Sequence, residues 1–197
     1  MPAFCAGFSN GKMNPKIYYI HGLSGSRESA TCVGLRERFE GVECLEYPSQ
    51  TASYAENLRT ITSAFYALEE FFKSEKIIVV GTSLGGFFAS KLADEIQKRG
   101  GVGDVSFLLV NPAVCPYETA RGKGYERELV DSYKGITISY NKMFKTRAVV
   151  TLDDELLNPR QAIDIFGSAC TVFPSGGHSC WNMRQDEISQ IIKDMMR

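Results

Sequence analysis

The chain has 197 residues, of which 44% are hydrophobic and 23% are charged. This composition is typical of one soluble globular domain and excludes both an intrinsically disordered chain and a membrane-embedded protein. The 22 basic and 23 acidic residues leave a net charge of −1. The sequence therefore gives no electrostatic reason to expect a nucleic acid or an anionic membrane surface as a partner.

The cysteines and histidines are spaced too widely to predict a metal site. No C-x-x-C pair occurs and the histidines are His21 and His178, so we expect no metal and no cofactor. The N-terminal residues do not resemble a signal peptide, and no apolar run reaches the roughly 18 residues of a membrane span. We therefore expect a cytoplasmic protein with reduced cysteines. These are Cys5, Cys32, Cys44, Cys115, Cys170 and Cys180.

Short apolar segments alternate with amphipathic ones, which is the pattern of a parallel sheet with crossover helices. The first half contains the strand Lys16–Ile20, a second strand at 43–47 ended by Pro48, and a wholly apolar strand at 77–80. Between the last two strands, apolar residues recur at steps of three and four over residues 53–74. This spacing predicts a helix with one buried face.

The second half of the chain continues the same alternation. Residues 85–99 are predicted to form a helix that ends at two glycines. Residues 113–140 have no clean period and are predicted to form a small cap or insertion over the sheet's edge, with some helix near 125–133. The remaining strands are predicted at 105–110, 147–152 and 169–173, and the remaining helices at 159–166 and 186–196.

These elements predict one α/β domain over residues 1–197, with a mainly parallel sheet and helices on both faces. Residues 1–15 would form an N-terminal extension, and residues 113–140 a minimal cap. No internal repeat or low-complexity linker divides the chain.

Residues 81–85 read GTSLG between the apolar strand at 77–80 and a helix. An α/β-hydrolase places its nucleophilic serine on such a strand-to-helix turn, where steric crowding demands very small residues two positions before and after it. Gly81 and Gly85 meet this demand. The sequence therefore predicts Ser83 as the nucleophile of an α/β-hydrolase fold.

An oxyanion hole is predicted beside Ser83 from two backbone N–H groups. One comes from Leu84, the residue after the nucleophile. The other is expected from the loop HGLSG that follows the first strand, with Leu23 as the donor. His21 begins this loop, but a base before the serine would break the fold's chain order of serine, acid and histidine. We therefore expect His21 to hold the loop by hydrogen bonds.

His178 follows the last predicted strand, where the base of such a fold belongs. The acid is expected after the strand at 147–152, because a buried carboxylate would hold the histidine in the required tautomer. Asp153, Asp154 and Glu155 all follow this strand. Spacing alone does not separate Asp153 from Asp154.

Several motifs make the chain resemble the YqiA-type small esterases of the α/β-hydrolase superfamily from about residue 17 onward. The more specific ones are NPAVCPYE, and Asp154-Glu155 followed by Arg-Gln-Ala; YIHG and GTSLGG are shared by many hydrolases. The family's Gly-Asp-Glu pattern implies that Asp154 is the acid and that Asp153 replaces a glycine. The two glycines directly before His178 are a second departure, because the family has another residue between.

The resemblance implies hydrolysis of carboxylic esters or thioesters through an acyl-enzyme. From the small cap we expect a shallow pocket that favours short acyl groups of a small-molecule substrate. One alternative is a thioesterase or acyltransferase with the same triad, and another is a non-catalytic binding protein of this fold. Neither G-x-x-x-x-G-K-[ST] nor G-x-G-x-x-G occurs, which argues against a nucleotide-phosphate enzyme.

Overall fold

The computed structural model describes residues 15–72, 76–101 and 103–197, and these residues form a six-stranded sheet. Its strand order is β2-β1-β3-β4-β5-β6, and every neighbouring pair is parallel. The carboxyl ends of all strands therefore meet at one edge. The strands are β1 Lys16–Ile20, β2 Val42–Cys44, β3 Lys76–Thr82, β4 Asp104–Val110, β5 Lys145–Thr151 and β6 Cys170–Phe173.

Helices connect the successive strands, as the alternating sequence pattern predicts. The helices are α1 Ala30–Arg38, α2 Tyr54–Phe72, α3 Leu84–Lys98, α4 Pro116–Ala120, α5 Arg127–Asp131, α6 Pro159–Phe166 and α7 Trp181–Met196. Among the described residues, no helix has both the length and the apolarity to span a membrane.

Alternate residues of β1 face opposite sides of the sheet. Tyr18 and Ile20 belong to a core that α2, α3 and α6 cover, whereas Ile17 and Tyr19 belong to a second core beneath α1 and α7. Both faces of the sheet are therefore buried. This explains why its central strands read as continuous apolar runs rather than as alternating ones.

Several boundaries differ from the sequence prediction. The second strand is confined to Val42–Cys44, because only one further backbone bond, from the Leu45 N–H to the Tyr19 oxygen at 2.8 Å, continues its pairing. The last helix begins at Trp181 rather than at residue 186, since non-helical backbone at Arg184 interrupts its apolar period. The end of the helix predicted at 53–74 and residues 1–14 of the predicted extension lie outside the described residues.

The sequence pattern does not predict the first helix, α1, because its apolar residues are few. Ser29 caps it by accepting a hydrogen bond from the Cys32 N–H at 3.4 Å. A glycine inside a helix is usually unfavourable, yet Gly34 is required here, because a β-carbon would collide with the indole of Trp181. The partner that requires this glycine lies in α7, far along the chain.

Candidate active site

Ser83 lies on the sharp turn between β3 and α3, with φ 54° and ψ −119°. This positive φ is strained for a residue with a side chain, and such strain is a feature of nucleophile elbows. A β-carbon at Gly85 would collide with the backbone of Ile20, and one at Gly81 with the backbone of Gly85. The two glycines therefore allow α3 to start close against β1 and expose Ser83 at the carboxyl edge of the sheet.

The side chains of Ser83, His178 and Asp154 form a continuous chain of contacts. The Ser83 Oγ lies 2.9 Å from His178 Nε2, and His178 Nδ1 lies 2.9 and 3.0 Å from the two carboxylate oxygens of Asp154. The histidine side chain is 16% exposed and the aspartate side chain 2%. The three residues predicted as nucleophile, base and acid are thus brought together at distances that permit proton transfer.

Asp154 is held as a carboxylate by its surroundings. Burial raises its pKa, but hydrogen bonds from His178 and from the backbone N–H groups of Leu157 and Leu156 outweigh this effect and bring the pKa below its ordinary value. Both N–H groups lie 2.9 Å from Asp154 Oδ1. A charged carboxylate in this position fixes the histidine tautomer that has Nδ1 protonated.

The two neighbours of Asp154 bind the backbone of the histidine loop rather than the imidazole. The Asp153 carboxylate accepts hydrogen bonds from the N–H groups of Gly176 at 3.2 Å and Gly177 at 2.9 Å. Glu155 accepts one from the His178 N–H at 2.9 Å. Spacing left Asp153 and Asp154 as equal candidates for the acid, but their side chains have different partners.

The two departures from the family's pattern lie against each other. Asp153, in the place of a glycine, contacts the glycine pair that precedes His178. Gly177 has φ 62°, which favours glycine, and a β-carbon at Gly176 would lie 2.7 Å from the Thr151 methyl group. The extra carboxylate and the tight glycine loop therefore form one local arrangement.

Asn111, at the end of β4, holds the carbonyl groups of the same loop. Its side-chain N–H₂ donates to the oxygens of Gly177 and His178, each at 3.0 Å, and its Oδ1 accepts from the Thr151 N–H at 2.9 Å. Thr151 Oγ1 also donates to the Gly177 oxygen at 2.8 Å. Sequence reasoning used Asn111 only as part of a family motif. Its position directly after an apolar strand was a signal in the sequence, although the partners of the amide were not.

The loop after β1 lies directly beside Ser83. A β-carbon built on Gly22 would be 3.8 Å from Ser83 Oγ. Leu23 and Leu84 both line the space in front of the serine. The predicted oxyanion donors Leu23 and Leu84 therefore belong to segments that lie next to Ser83.

His21 is buried and takes no part in the contacts that join Ser83, His178 and Asp154. Its ring stacks on Tyr47 with centroids 4.5 Å apart, and its Nδ1 lies 2.8 Å from the Gly22 oxygen. Burial lowers its pKa, which favours the neutral ring. These contacts are consistent with the predicted role of His21 in holding the loop.

A cavity of about 470 Å³ opens in front of Ser83 and His178. Its volume lies within the usual range for small-molecule sites. Residues 113–140 fold back over the carboxyl edge through α4 and α5, whose Pro116 and Leu129 form part of the cavity wall. In the described ranges, no group of three or more His, Cys, Asp or Glu side chains could hold a metal ion.

The six-stranded parallel sheet, the elbow and the helices on both faces define an α/β-hydrolase fold. The chain belongs to the Uncharacterised protein family (UPF0227), whose model matches residues 16–195. This match confirms the predicted resemblance to the YqiA-type group. No curated protein sequence matches the chain significantly.

Solved structures with this fold include several hydrolases. A putative hydrolase from Agrobacterium vitis S4 is similar with a TM-score of 0.79 and 14% identity, over 93% of this chain and 88% of that one. Est1E from Butyrivibrio proteoclasticus with bound ferulic acid has a TM-score of 0.75 and 16% identity, over 95% and 90%. The type II thioesterase BorB from the borrelidin biosynthetic cluster has a TM-score of 0.62 and 16% identity, over 94% of each chain.

Proposed function

We propose that this protein is a serine hydrolase that cleaves carboxylic esters through an acyl-enzyme, with a preference for short acyl groups. The observation that carries the proposal is the chain of contacts from Ser83 Oγ through the His178 ring to the Asp154 carboxylate. These groups have the chain order and the mutual contacts that a hydrolase triad requires, which supports the proposal. The hydrolases with the same fold support the reaction class.

In the proposed reaction, Ser83 Oγ attacks the ester carbonyl carbon while His178 Nε2 takes the serine proton. Asp154 stabilises the resulting imidazolium, and the N–H groups of Leu84 and Leu23 bind the oxyanion. The carbon–oxygen bond to the alcohol then breaks, and the histidine proton passes to the departing oxygen. Water repeats the sequence on the acyl-enzyme, releasing the acid and restoring Ser83.

A thioesterase that uses the same residues is the second candidate, favoured by the similarity to the thioesterase BorB. Thioesters and oxygen esters give the same acyl-enzyme and differ only in the group that leaves. Paired substrates with one acyl group, one an oxygen ester and the other a thioester, would separate the two functions through their kcat/KM values.

Covalent labelling with a fluorophosphonate tests the proposed nucleophile. Because the reagent reacts with activated serines, we expect one adduct, located on Ser83 by mass spectrometry of the peptides. Ser83→Ala should give no adduct, whereas Ser90→Ala, a buried serine of α3 outside the triad, serves as the matched control. An unlabelled wild-type protein that also hydrolyses no ester in a panel of graded acyl length would contradict the proposal.

A further inference from the structure

The two ends of the cavity belong to opposite faces of the sheet. Leu129, Tyr133 and Leu157 line one end and pack with the core under α2, α3 and α6. Trp181 lines the other end and belongs to the core under α1 and α7. Ser83, at the end of the central strand β3, lies between them. A substrate carbonyl at Ser83 would therefore extend its two substituents over opposite faces of the sheet.

The end formed by the cap is lined mainly by apolar side chains, although Thr119, Lys123, Tyr125 and Tyr133 of the cap also reach the cavity. The apolar part consists of the side chains of Pro116 and Ala120 from α4 and of Leu129 and Val130 from α5, together with Leu157. These side chains offer almost no hydrogen-bonding groups to a ligand, so burial of apolar surface is the interaction they can supply. An aliphatic group is the substituent that suits this end.

The opposite end contains a cluster of hydroxyl groups. Tyr19 Oη lies 2.8 Å from Thr82 Oγ1, and Ser29 and Thr31 at the start of α1 line the same part of the cavity. Burial raises the pKa of Tyr19, although the hydroxyls of Thr82, Ser29 and Thr31 near its oxygen act in the opposite direction. The phenol is therefore protonated, and the cluster consists of neutral groups that both donate and accept hydrogen bonds.

As far as the structure describes it, the hydroxyl end of the cavity has no charged lining side chain that could pair with a charged ligand. Among the described lining residues other than His178, Lys123 beyond α4 is the one charged side chain, and no carboxylate lines the space. Lys123 lies on the side of the cap and not among the hydroxyls. A cationic substituent would find no counter-ion at the hydroxyl end, whereas a neutral polyol would find matched partners.

The departing alcohol must lie near His178, because this ring returns the proton to the leaving oxygen. Ser179 directly follows the histidine, and it lines the cavity together with Trp181 and Asn182, three and four residues after His178. We propose that the substrates are esters of an aliphatic acid with a neutral, hydroxyl-bearing alcohol. The alcohol lies at the hydroxyl end of the cavity, beside Thr31, and the acyl chain lies against α5. This inference rests on the proposed ester hydrolysis by Ser83.

The test compares two butyrate esters that share one carbon skeleton, glyceryl monobutyrate and propyl butyrate. We expect kcat/KM to be at least about tenfold higher for the glyceryl ester, because its two free hydroxyls pair with the cluster. Thr31→Val removes one hydroxyl with little change of shape and should lower this ratio about two- to tenfold. Thr60→Val, at an exposed position of α2, is the matched control and should leave the ratio unchanged.

Equal kcat/KM values for the two esters, or a ratio that Thr31→Val does not lower, would overturn the inference while leaving the proposed hydrolase function in place. A preference for propyl 3,4-dihydroxybutyrate over propyl butyrate, without one for the glyceryl ester, would place the hydroxyls on the acyl side and also overturn it. Failure of the proposed function has a different signature, namely no turnover of any of these esters and no fluorophosphonate adduct on Ser83.

Discussion

The side-chain amide of Asn111 donates a hydrogen bond to the backbone oxygen of His178 at 3.0 Å. The end of β4 therefore holds the residue proposed as the base, which the chain itself attaches after β6. The N–H groups of the same loop are bound from β5's end by Asp153 and Glu155. The position of the imidazole thus depends on polar groups from two neighbouring strand ends, in addition to Asp154.

Removing the Asn111 side chain should reduce turnover more than substrate affinity. Glycine tolerates the φ of 40° that Asn111 adopts, so Asn111→Gly should keep the local backbone. The substitution leaves the Gly177 and His178 oxygens without their amide partner. We expect kcat to fall about ten- to a hundredfold, since a small displacement of a catalytic group is costly, and KM to change little. Steady-state kinetics measures both quantities. A rise in KM at constant kcat would contradict a role in positioning His178.

Removal of the proposed nucleophile or base should abolish most of the esterase activity. Ser83→Ala and His178→Ala are each expected to lower kcat by roughly three or more orders of magnitude, because the two groups act as a unit. The double variant should therefore be about as slow as either single one. Additive losses in the double variant, measured with the same ester, would show that the two residues act independently.

Adjacent carboxylates provide a matched pair of variants. Asp154→Asn should lower kcat by about 10⁴, because an amide in contact with His178 Nδ1 favours the wrong tautomer. Asp153→Asn keeps one oxygen for the glycine N–H groups and is expected to cost a few fold. Kinetics on both variants, with circular dichroism as the folding control, makes the comparison. A larger loss in Asp153→Asn would move the acid one residue upstream.

Lowering the pH should destabilise the wild-type protein more than it destabilises the Asp154→Asn variant. The pKa of Asp154 is lowered in the folded protein, so its contribution to stability is present above the unfolded value of about 3.9 and is lost as pH falls through the folded value. Urea unfolding at pH values of about 7 and about 3 gives the free energy of unfolding. We expect the free energy of unfolding to decrease less between these pH values in the variant than in the wild type. An equal decrease would contradict the lowered pKa of Asp154 in the folded protein.

Chelation of metal ions should leave the activity unchanged. The proposed reaction uses only side-chain and backbone groups of this chain, so dialysis against EDTA should not alter kcat/KM for any ester. The measurement is repeated after adding Zn²⁺. Activity that disappears with EDTA and returns with Zn²⁺ would reveal a metal site that the proposal lacks.

The elbow could be predicted from the sequence because its requirement is local. Two glycines at fixed distances from Ser83, between an apolar strand and a helix, are the steric signature of such a turn. The role of Asn111 could not be predicted in this way, since its partners Thr151 and His178 lie 40 and 67 residues further along the chain. The contact that requires Gly34 in α1 could not be predicted for the same reason, since its partner Trp181 lies in α7.

Three further predictions were made from the sequence. The preference for short acyl groups, the organisation of residues 1–197 as one domain and the cytoplasmic location stay predictions.

Trp181 is the single tryptophan of the chain, and it is buried between Gly34 and the cavity that it lines. The intrinsic fluorescence of the whole protein on excitation of tryptophan therefore comes from one indole beside the proposed alcohol end. A ligand that enters there changes the polarity around that indole and hence its emission. The protein thus carries its own optical reporter, by which acylation and alcohol release could be followed in real time without an attached dye.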